Sequence, residues 1–523
     1  MNYADLFRVT LPETVLELAA LLVLVVDLGL LRKAAHGVRL AVAAALGVGG
    51  CCVAMMTVEL EGITWLKFGT SSDFTLLGTG GFIAVAQTGI LVLTALTLLL
   101  LLDSVFTKHV GEFVAVVLMS AAGGMLVAAA QDLLVIFVGL ELLSLGLYIL
   151  TAFAKHSGKS AEAAMKYYLF GGMSAAFLLF GFSYFYGLTG TTNLEQIQFR
   201  MTMAGPSPLF YVAWILVVAG LGFKIAVVPF HLWAPDTYEG APAPAAAFIA
   251  SVSKVASFAL LITLARNWWL GPSGNLAADG TTLEQVLRGY YQAWPQLAIV
   301  LLIASAASMV VGNLAALAQS SVRRLLAYSA IAHAGYMLLG LAAHPVFTGV
   351  GTLVDFNANS YFLTVRGLGS VLFYVLTYGL TTVGAFGVVA IVERATGSDR
   401  LDSFLGLHKR APLLAAVLLV LFLSLAGIPP LVGFWAKFNL FAAVLGEHGG
   451  PAPFALVCVA IAMSAVSLYY YLQVLKRAYV MPAADESRIK VHPVTLAALV
   501  AIAAAVVLLG CFPTALGGWI EGF

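Results

Sequence analysis

The chain has 523 residues, of which 61% are hydrophobic and only 10% are charged, and its formal net charge is +1. A soluble domain cannot bury that much apolar surface, because a single core stops growing at about 250–300 residues. The mean hydropathy of +0.99 and the apolar stretches that recur to the end indicate a polytopic membrane protein, and the near-neutral charge argues against nucleic acid as a partner.

The motifs of several enzyme classes are absent from the sequence. There is no GxxxxGK[ST] of an ATP-driven motor, no GxGxxG of a dinucleotide site and no HExxH of a zinc enzyme. The four cysteines form no CxxC pair, so iron–sulfur ligation is not expected: Cys51, Cys52, Cys458 and Cys511. The first apolar segment lacks a small-residue cleavage site and is interpreted as a retained span. We therefore expect this chain itself to bind no cofactor and no metal.

The apolar runs predict an all-α membrane protein of about fourteen transmembrane helices, at roughly twenty residues each. No soluble domain fits between them, so residues 1–523 are predicted to form a single membrane domain. The predicted spans are 13–31, 38–57, 81–102, 112–130, 133–152, 162–187, 209–233, 241–266, 294–317, 323–343, 366–393, 411–442, 454–478 and 491–511.

Spans seven and twelve are predicted to be discontinuous. In span seven, GFKIAVVPFHLWAPDTYEGAPAP, Pro229 follows Lys224, and in span twelve Pro429 and Pro430 precede Lys437. A proline frees a backbone carbonyl that lipid cannot satisfy, and interrupted helices recur in ion transporters. These spans are five apart and cross the membrane in opposite directions, which predicts two inverted repeats, 112–266 (helices four to eight) and 294–478 (helices nine to thirteen). The proline follows the lysine in one repeat and precedes it in the other.

The orientation follows from the basic residues. Lys and Arg concentrate in connections after odd-numbered spans, which include Lys155, Lys409 and Lys490. The positive-inside rule places these connections in the cytoplasm. Both termini are then expected on the non-cytoplasmic side of a bacterial inner membrane.

Five polar residues fall near the middle of predicted spans. Burying a charge there costs about 2.5–3.5 kcal/mol on insertion scales, so such residues mark ion pathways or proton relays. The candidate relay residues are Glu141, Lys224, Lys254, His333 and Lys437.

Each candidate also has a purely structural interpretation. Lys224 could snorkel to an interface beside a plain proline kink, and Lys254 could pair with a backbone carbonyl. Glu141 could form a structural ion pair with one of the lysines, and His333 could be a hydrogen-bonded core histidine. The run from Tyr469 to Tyr471 is interpreted as packing, with hydroxyls near an interface.

Several motifs resemble one known family. GFKIAVVPFHLWAPDTYEGAP, KYYLFGGMSAAFLLFGFSYFYGLTGTTNL, RRLLAYSAIAHAGY and LAGIPPLVGFWAKF are similar to the antiporter-like proton-channel subunits of respiratory complex I. The resemblance runs from about Leu76 to the last span. It is greatest to the member type that has lysine at the position of Lys437, carries Lys254 and lacks a long C-terminal lateral helix. Residues before Leu76 carry no such motif, and no site is assigned to them.

The resemblance implies a role for each candidate. Glu141 would be the acid beside Lys224, Lys254 the central relay, and Lys437 the lysine near the exit, with His333 extending the polar axis between the last two. The chain would be a proton-translocating subunit of a redox-driven NADH–quinone oxidoreductase, a translocase, with no redox centre of its own. NADH, FMN, iron–sulfur clusters and quinone would be bound by partner subunits, namely neighbouring membrane subunits and a peripheral redox arm.

Two rival functions remain at this point. One is a subunit of a multisubunit cation/proton antiporter, whose sequences this chain also resembles at lower fidelity. The other is a non-transporting membrane scaffold. The scaffold hypothesis predicts that removal of the buried charges leaves function intact, and the antiporter hypothesis predicts small membrane partners without a redox arm.

Overall fold

A computed structural model gives the fold of most of the chain. It describes residues 3–58, 64–67, 75–104, 106–204, 207–269, 283–347, 358–446, 451–483 and 487–516. Within these ranges the structure is almost entirely helical, with one two-stranded antiparallel hairpin. The predicted all-α membrane fold is confirmed.

The N-terminal part consists of three long helices and the hairpin. The second helix continues into a π-helical turn at Val26–Leu30. The elements are α1 (Tyr3–Val9), α2 (Leu11–Val25), α3 (His36–Thr57), β1 (Thr64–Lys67), β2 (Thr75–Thr79) and α4 (Gly81–Leu101).

The middle part contains the first interrupted helix. Three helices in this part, which begin at Leu133, Gly158 and Pro208, are capped by the residue before them. Asp132, Ser157 and Ser207 each accept a hydrogen bond from a backbone N–H of the first turn, which fixes where these three helices begin. The elements are α5 (Val110–Ala129), α6 (Leu133–Thr151), α7 (Gly158–Thr189), α8 (Leu194–Ala204), α9 (Pro208–Ile225), α10 (Trp233–Gly240) and α11 (Ala243–Trp269).

The last part contains the second interrupted helix. Before this interrupted helix, a 3₁₀ turn at Leu401–Phe404 is followed by the short helix Leu407–Arg410. The elements are α12 (Leu283–Leu317), α13 (Val322–Phe347), α14 (Ala358–Thr396), α15 (Leu407–Arg410), α16 (Pro412–Ala426), α17 (Val432–Leu445), α18 (Pro451–Tyr479) and α19 (Pro493–Cys511).

Twelve helices in the described ranges are long and apolar enough to cross a membrane, so the chain is a multi-pass integral membrane protein. Two of the predicted spans are not among the twelve. The span at 13–31 corresponds to α2 and its π-helical turn, and the span at 411–442 corresponds to the shorter apolar helices α16 and α17. The total of about fourteen therefore stays a prediction. Helices α11 and α13 are buried along almost their whole length and form the centre.

Both predicted breaks are present. Helix α9 ends at Ile225, where Ala226 adopts a left-handed conformation with φ of 59°, and α10 begins only at Trp233. The predicted span 209–233 therefore extends past the end of its helix. Helix α16 ends before Gly427, whose φ is 87°, and α17 begins at Val432. A left-handed residue lets backbone N–H groups turn back onto the last carbonyls, which terminates a helix cleanly.

The short helix α10 is fastened to two neighbours. Asp236 forms ion pairs with Lys166 on α7 and with Arg324 on α13, each at 2.7 Å. Glu239 pairs with Lys159 on α7 at 3.1 Å and with the same arginine at 3.0 Å. The segment after the first break is thus held between the two helices rather than left as a plain connection.

Candidate functional site

Lys224 lies in the last turn of α9 and is 7% exposed. Its Nζ donates a 2.5 Å hydrogen bond to Ser144 Oγ on α6. Glu141 lies one turn earlier on α6 and interacts electrostatically with Lys224, but among the described residues it forms no salt bridge. Glu141 and Lys224 are predicted neighbours, and in the structure Ser144 makes the direct contact to the lysine. Ser144 and Glu141 lie on the same face of α6, because residues three apart in a helix share a face.

Lys254 lies halfway along α11 and is 2% exposed. Its amino group donates a hydrogen bond to the backbone carbonyl of Ala330 on α13. On another side its Nζ lies 5.4 Å from the ring centroid of Tyr378 on α14, which is a cation–π distance. The contact between Lys254 and a backbone carbonyl, which the sequence allows as a structural alternative, is therefore present, and the ring of Tyr378 lies beside the same amino group.

His333 lies on α13, 4% exposed, between two tyrosine hydroxyls. Its Nδ1 is 2.9 Å from Tyr374 OH, and its Nε2 is 3.5 Å from Tyr471 OH. The Tyr471 hydroxyl also hydrogen-bonds Ser329 Oγ. A neutral imidazole has one donor and one acceptor nitrogen, and a hydroxyl can serve either, so this chain of groups can pass a proton by reversing its donors.

Lys437 lies on α17, 5% exposed, beside the second break. Its Nζ donates to the carbonyls of Leu425 at 3.2 Å and Ala426 at 3.0 Å, and to Ser464 Oγ at 2.7 Å. The two carbonyls belong to the last turn of α16. The C-terminal end of a helix carries partial negative charge and unpaired carbonyls, so it suits an ammonium group.

Aromatic rings lie between the polar side chains of the second half. The His333 ring is 4.8 Å from the Tyr378 ring, which also faces Lys254. It is 5.8 Å from the Tyr336 ring, and that ring lies 5.4 Å from Lys437 Nζ. Tyrosine rings therefore connect Lys254, His333 and Lys437 in one buried row. A small cavity lies against His333 and reaches the end of α16.

Sequence reasoning missed the hydroxyl groups of the site. Tyr471 was predicted to be packing, yet it is fully buried and contacts His333. Tyr470 OH donates to Asn313 Oδ1 at 3.1 Å, whereas Tyr469 is exposed. The available signal was the tyrosines themselves, because a tyrosine that is buried in an apolar helix needs a partner for its hydroxyl.

No group of three or more His, Cys, Asp or Glu side chains among the described residues has a spacing that could hold a metal. The site therefore offers amino, imidazole, hydroxyl and carbonyl groups. Of these, the amino, imidazole and hydroxyl groups can both bind and donate a proton, and the carbonyl groups act as hydrogen-bond acceptors.

Comparison with known proteins identifies the family. A family model described as "NADH:quinone oxidoreductase/Mrp antiporter, TM" matches residues 130–271 and 281–464. NADH-quinone oxidoreductase subunit N 2 of Acidobacterium capsulatum is 45% identical over 100% of this chain and 99% of its own length. The chain belongs to the subunit N family of NADH-quinone oxidoreductases. A second subunit N, from Roseiflexus castenholzii, is 38% identical and covers 86% of this chain and 79% of its own.

Two solved structures share the fold of this chain. A chain of respiratory complex I from Thermus thermophilus is 32% identical, with a TM-score of 0.73, covering 97% of this chain and 98% of that one. A chain of the Mrp complex from Dietzia sp. has a TM-score of 0.76 at 20% identity and covers 98% and 97%. That second likeness shows a shared fold alone. The resemblance read from the motifs is therefore confirmed as membership of the subunit N family.

Proposed function

We propose that this chain is the subunit N of a bacterial complex I and moves protons through Glu141, Lys224, Lys254, His333 and Lys437. One observation carries the proposal. The three buried lysines, each at most 7% exposed, have no carboxylate within salt-bridge distance among the described residues and contact only hydroxyl, carbonyl and ring groups.

Such lysines are suited to exchanging protons. Burial without a counter-ion disfavours the charged form, so the neutral and charged amino groups come close in energy. Each lysine can then accept a proton and later release it. Glu141, on the neighbouring helix α6, interacts electrostatically with Lys224, so a change at that carboxyl group shifts the balance at the lysine. This supports a path whose steps are set by electrostatics.

The redox chemistry is assigned to other subunits. We propose that neighbouring membrane subunits and a peripheral arm provide NADH oxidation, FMN, iron–sulfur clusters and quinone reduction. The relatives in NADH-quinone oxidoreductase and complex I support this assignment. The whole complex acts as a translocase, and this chain contributes no redox centre.

The arrangement in the membrane is part of the proposal. Helices α9 and α16–α17 are interrupted in related ways, which supports inverted repeats at 112–266 and 294–478. Arg394 on α14 contacts both the Asp103 side chain and the Lys490 carbonyl, so these residues share one side of the membrane. We expect that side to be cytoplasmic, with both termini opposite.

Orientation is tested by cysteine labelling. Lys409 is exposed in α15. A Lys409→Cys variant in an otherwise cysteine-free chain should react with an impermeant maleimide only in inside-out vesicles. Reaction in sealed right-side-out cells would reverse the orientation.

The function is tested by pumping in reconstituted holocomplex. Lys254→Ala and Lys224→Arg should both lower the protons moved per electron, since alanine cannot titrate and arginine does not release its proton in proteins. Lys409→Gln, at an exposed site, is the matched control. Normal stoichiometry in both variants would favour the scaffold hypothesis, and purification with small membrane subunits but no redox arm would favour the antiporter hypothesis.

A further inference from the structure

Glu13 is a buried carboxyl group far along the chain from the lysines. It lies in the first turn of α2 and is 7% exposed. Helix α2 packs against α5, and α5 packs against α4 and α11. The proposed proton path does not use Glu13, and no sequence motif marks it.

The carboxyl group is only half satisfied. Gln87 Nε2 on α4 donates to Glu13 Oε1 at 2.9 Å, and the same amide reaches the Met125 carbonyl at 3.5 Å. The other oxygen, Oε2, is buried without a hydrogen-bond partner. Among the described residues no Lys, Arg or His forms an ion pair with it. An ionised carboxylate presents about four acceptor sites, so this surrounding suits the protonated acid.

A second acid after the same helix shows the contrast. Asp27, in the π-helical turn, is 1% exposed, yet Arg39 donates to it through Nε at 2.7 Å and Nη2 at 2.6 Å. The N–H of Gly111 adds a third contact at 3.3 Å. Arg39 thus pairs with the buried carboxyl group of Asp27, whereas no cation in the described ranges pairs with Glu13.

The position of Glu13 at a helix start does not remove this difference. Unpaired N–H groups in the first turn stabilise negative charge, and the backbone N–H of Glu13 itself contributes a hydrogen bond. That gain is several times smaller than the cost of burying a carboxylate without a counter-ion. The surroundings of Glu13 thus favour the protonated acid more than water does.

The Glu13 site lies close to the helix of Lys254. Gly124, next to Met125 on α5, faces Ala256 on α11, where a Cβ on the glycine would be 3.4 Å from the alanine side chain. Next along α11, Ser257 Oγ is buried without a hydrogen-bond partner. An unpartnered polar atom is therefore found on each of α2 and α11, the two helices that pack against α5, and buried polar atoms of this kind are the ones that recruit water.

We propose that Glu13 is a further proton-binding site, which holds a proton at neutral pH and exchanges it with the lysine row across the α5–α11 contact. The inference rests on the proposed function for the exchange partner. In the release step the O–H bond of the acid breaks, the proton moves by way of water to a neutral lysine, and the carboxylate keeps its hydrogen bond from Gln87. Uptake is the reverse.

The bound proton is measured by infrared spectroscopy of the assembled complex. Glu13→Gln keeps the shape and a carbonyl acceptor for Gln87, so the complex should assemble. Its spectrum should lack one carboxylic-acid C=O band that shifts in D₂O in the parent protein. Glu17→Gln is the matched control, because Glu17 lies one turn further on α2 and is exposed. A Glu13→Gln spectrum with every acid band retained overturns the proposal.

Exchange with the lysine row is measured by pumping. Glu13→Gln should move fewer protons per electron than Glu17→Gln in the same vesicles, with quinone reduction still present. Equal pumping by the two variants also overturns the proposal, because the proton on Glu13 is then outside the path. If Lys254→Ala loses pumping while Glu13→Gln retains it, the proposed function stands and this inference alone fails.

Discussion

Lys224 hydrogen-bonds Ser144 rather than forming a salt bridge with an acid. The 2.5 Å contact joins the end of α9 to the middle of α6, and the serine hydroxyl in turn donates to the Leu140 carbonyl at 2.5 Å. With its hydrogen given to Leu140, the hydroxyl oxygen accepts from Lys224, and both a charged and a neutral amino group have N–H bonds to donate. Ser144 therefore accommodates both protonation states of Lys224.

The first prediction concerns this hydroxyl. Ser144→Ala removes a hydrogen bond to a buried charged group, worth about 1.5–3 kcal/mol, and should lower proton pumping by disfavouring charged Lys224. Ser144→Thr keeps the hydroxyl and should retain more activity. Ser183→Ala, at an exposed hydroxyl on α7, is the control. Pumping by Ser144→Ala at the level of that control would show that the contact is incidental.

The second prediction concerns Glu141 and Lys224 as a pair. Glu141→Gln should stall pumping by favouring the neutral lysine without unfolding the subunit, and Glu141→Asp should retain partial activity because the charge is kept. Adding Lys224→Ala to Glu141→Gln should cost little more, since coupled residues have non-additive effects. The readout is pumping per assembled complex. Losses that simply add in free energy would mean that the two residues act independently.

A third prediction concerns the second helix break. A Cβ at Gly433, in the first turn of α17, would lie 1.9 Å from the Ser424 carbonyl oxygen of α16. Gly433→Ala should therefore push the two half-helices apart, with an overpacking cost of about 1–3 kcal/mol. Gly172→Ala on α7, where nothing lies within 4 Å, should be neutral or slightly stabilising. Thermal unfolding of the purified protein distinguishes them, and equal midpoints would contradict the close contact.

A fourth prediction concerns pH and helix α10. Burial raises the pKa of Asp236, but hydrogen bonds from Lys166 and Arg324 outweigh it and hold the pKa below its ordinary value of 3.8. Burial also raises the pKa of Glu239, but hydrogen bonds from Arg324 and Lys159 outweigh it and hold that pKa below its ordinary value. A carboxyl group whose pKa is lowered by folding stabilises the protein at pH values above its pKa in the unfolded chain. That contribution is lost as the pH falls through the pKa of the group in the folded protein.

The measurement is the unfolding temperature against pH for Arg324→Gln. At neutral pH the variant should be less stable, by up to about 1 kcal/mol for each partly exposed pair. The gap to the parent should close below about pH 4, where both carboxyls take up protons. Lys409→Gln, at an exposed lysine, should track the parent throughout. If the difference in unfolding temperature between Arg324→Gln and the parent stays constant down to acid pH, Arg324 stabilises the protein by packing rather than by its ion pairs.

The burial of the lysines inside apolar helices could be predicted from the sequence, and their contacts could not. Lys224, Lys254 and Lys437 each stand inside an apolar run, and each is at most 7% exposed. Ser144 gave no signal, since serines in helices usually bond their own backbone. Tyr471 reads as packing because its ring is apolar, and only the facing helix shows that its hydroxyl meets His333.

The ends of the interrupted helices show the same limit. Pro229 and the Gly427–Pro430 segment predict breaks, and both occur. The first break is longer than the sequence predicts, because α9 already ends at the left-handed Ala226, and alanine carries no local signal for that conformation. Helix α10 was not expected either, since its stability comes from ion pairs to α7 and α13 that lie far away in the sequence.

The ion pairs of α10 bear on how α9 can move. After the first break the chain is held by the ion pairs of Asp236 and Glu239, whereas residues 226–232 form no helix of their own. Any tilt of α9 relative to α10 would be taken up by these residues. A small rotation of α9 would then change the distance between Lys224 Nζ and Ser144 Oγ, whereas His333 would stay in place because it lies on α13, the helix that is ion-paired to α10.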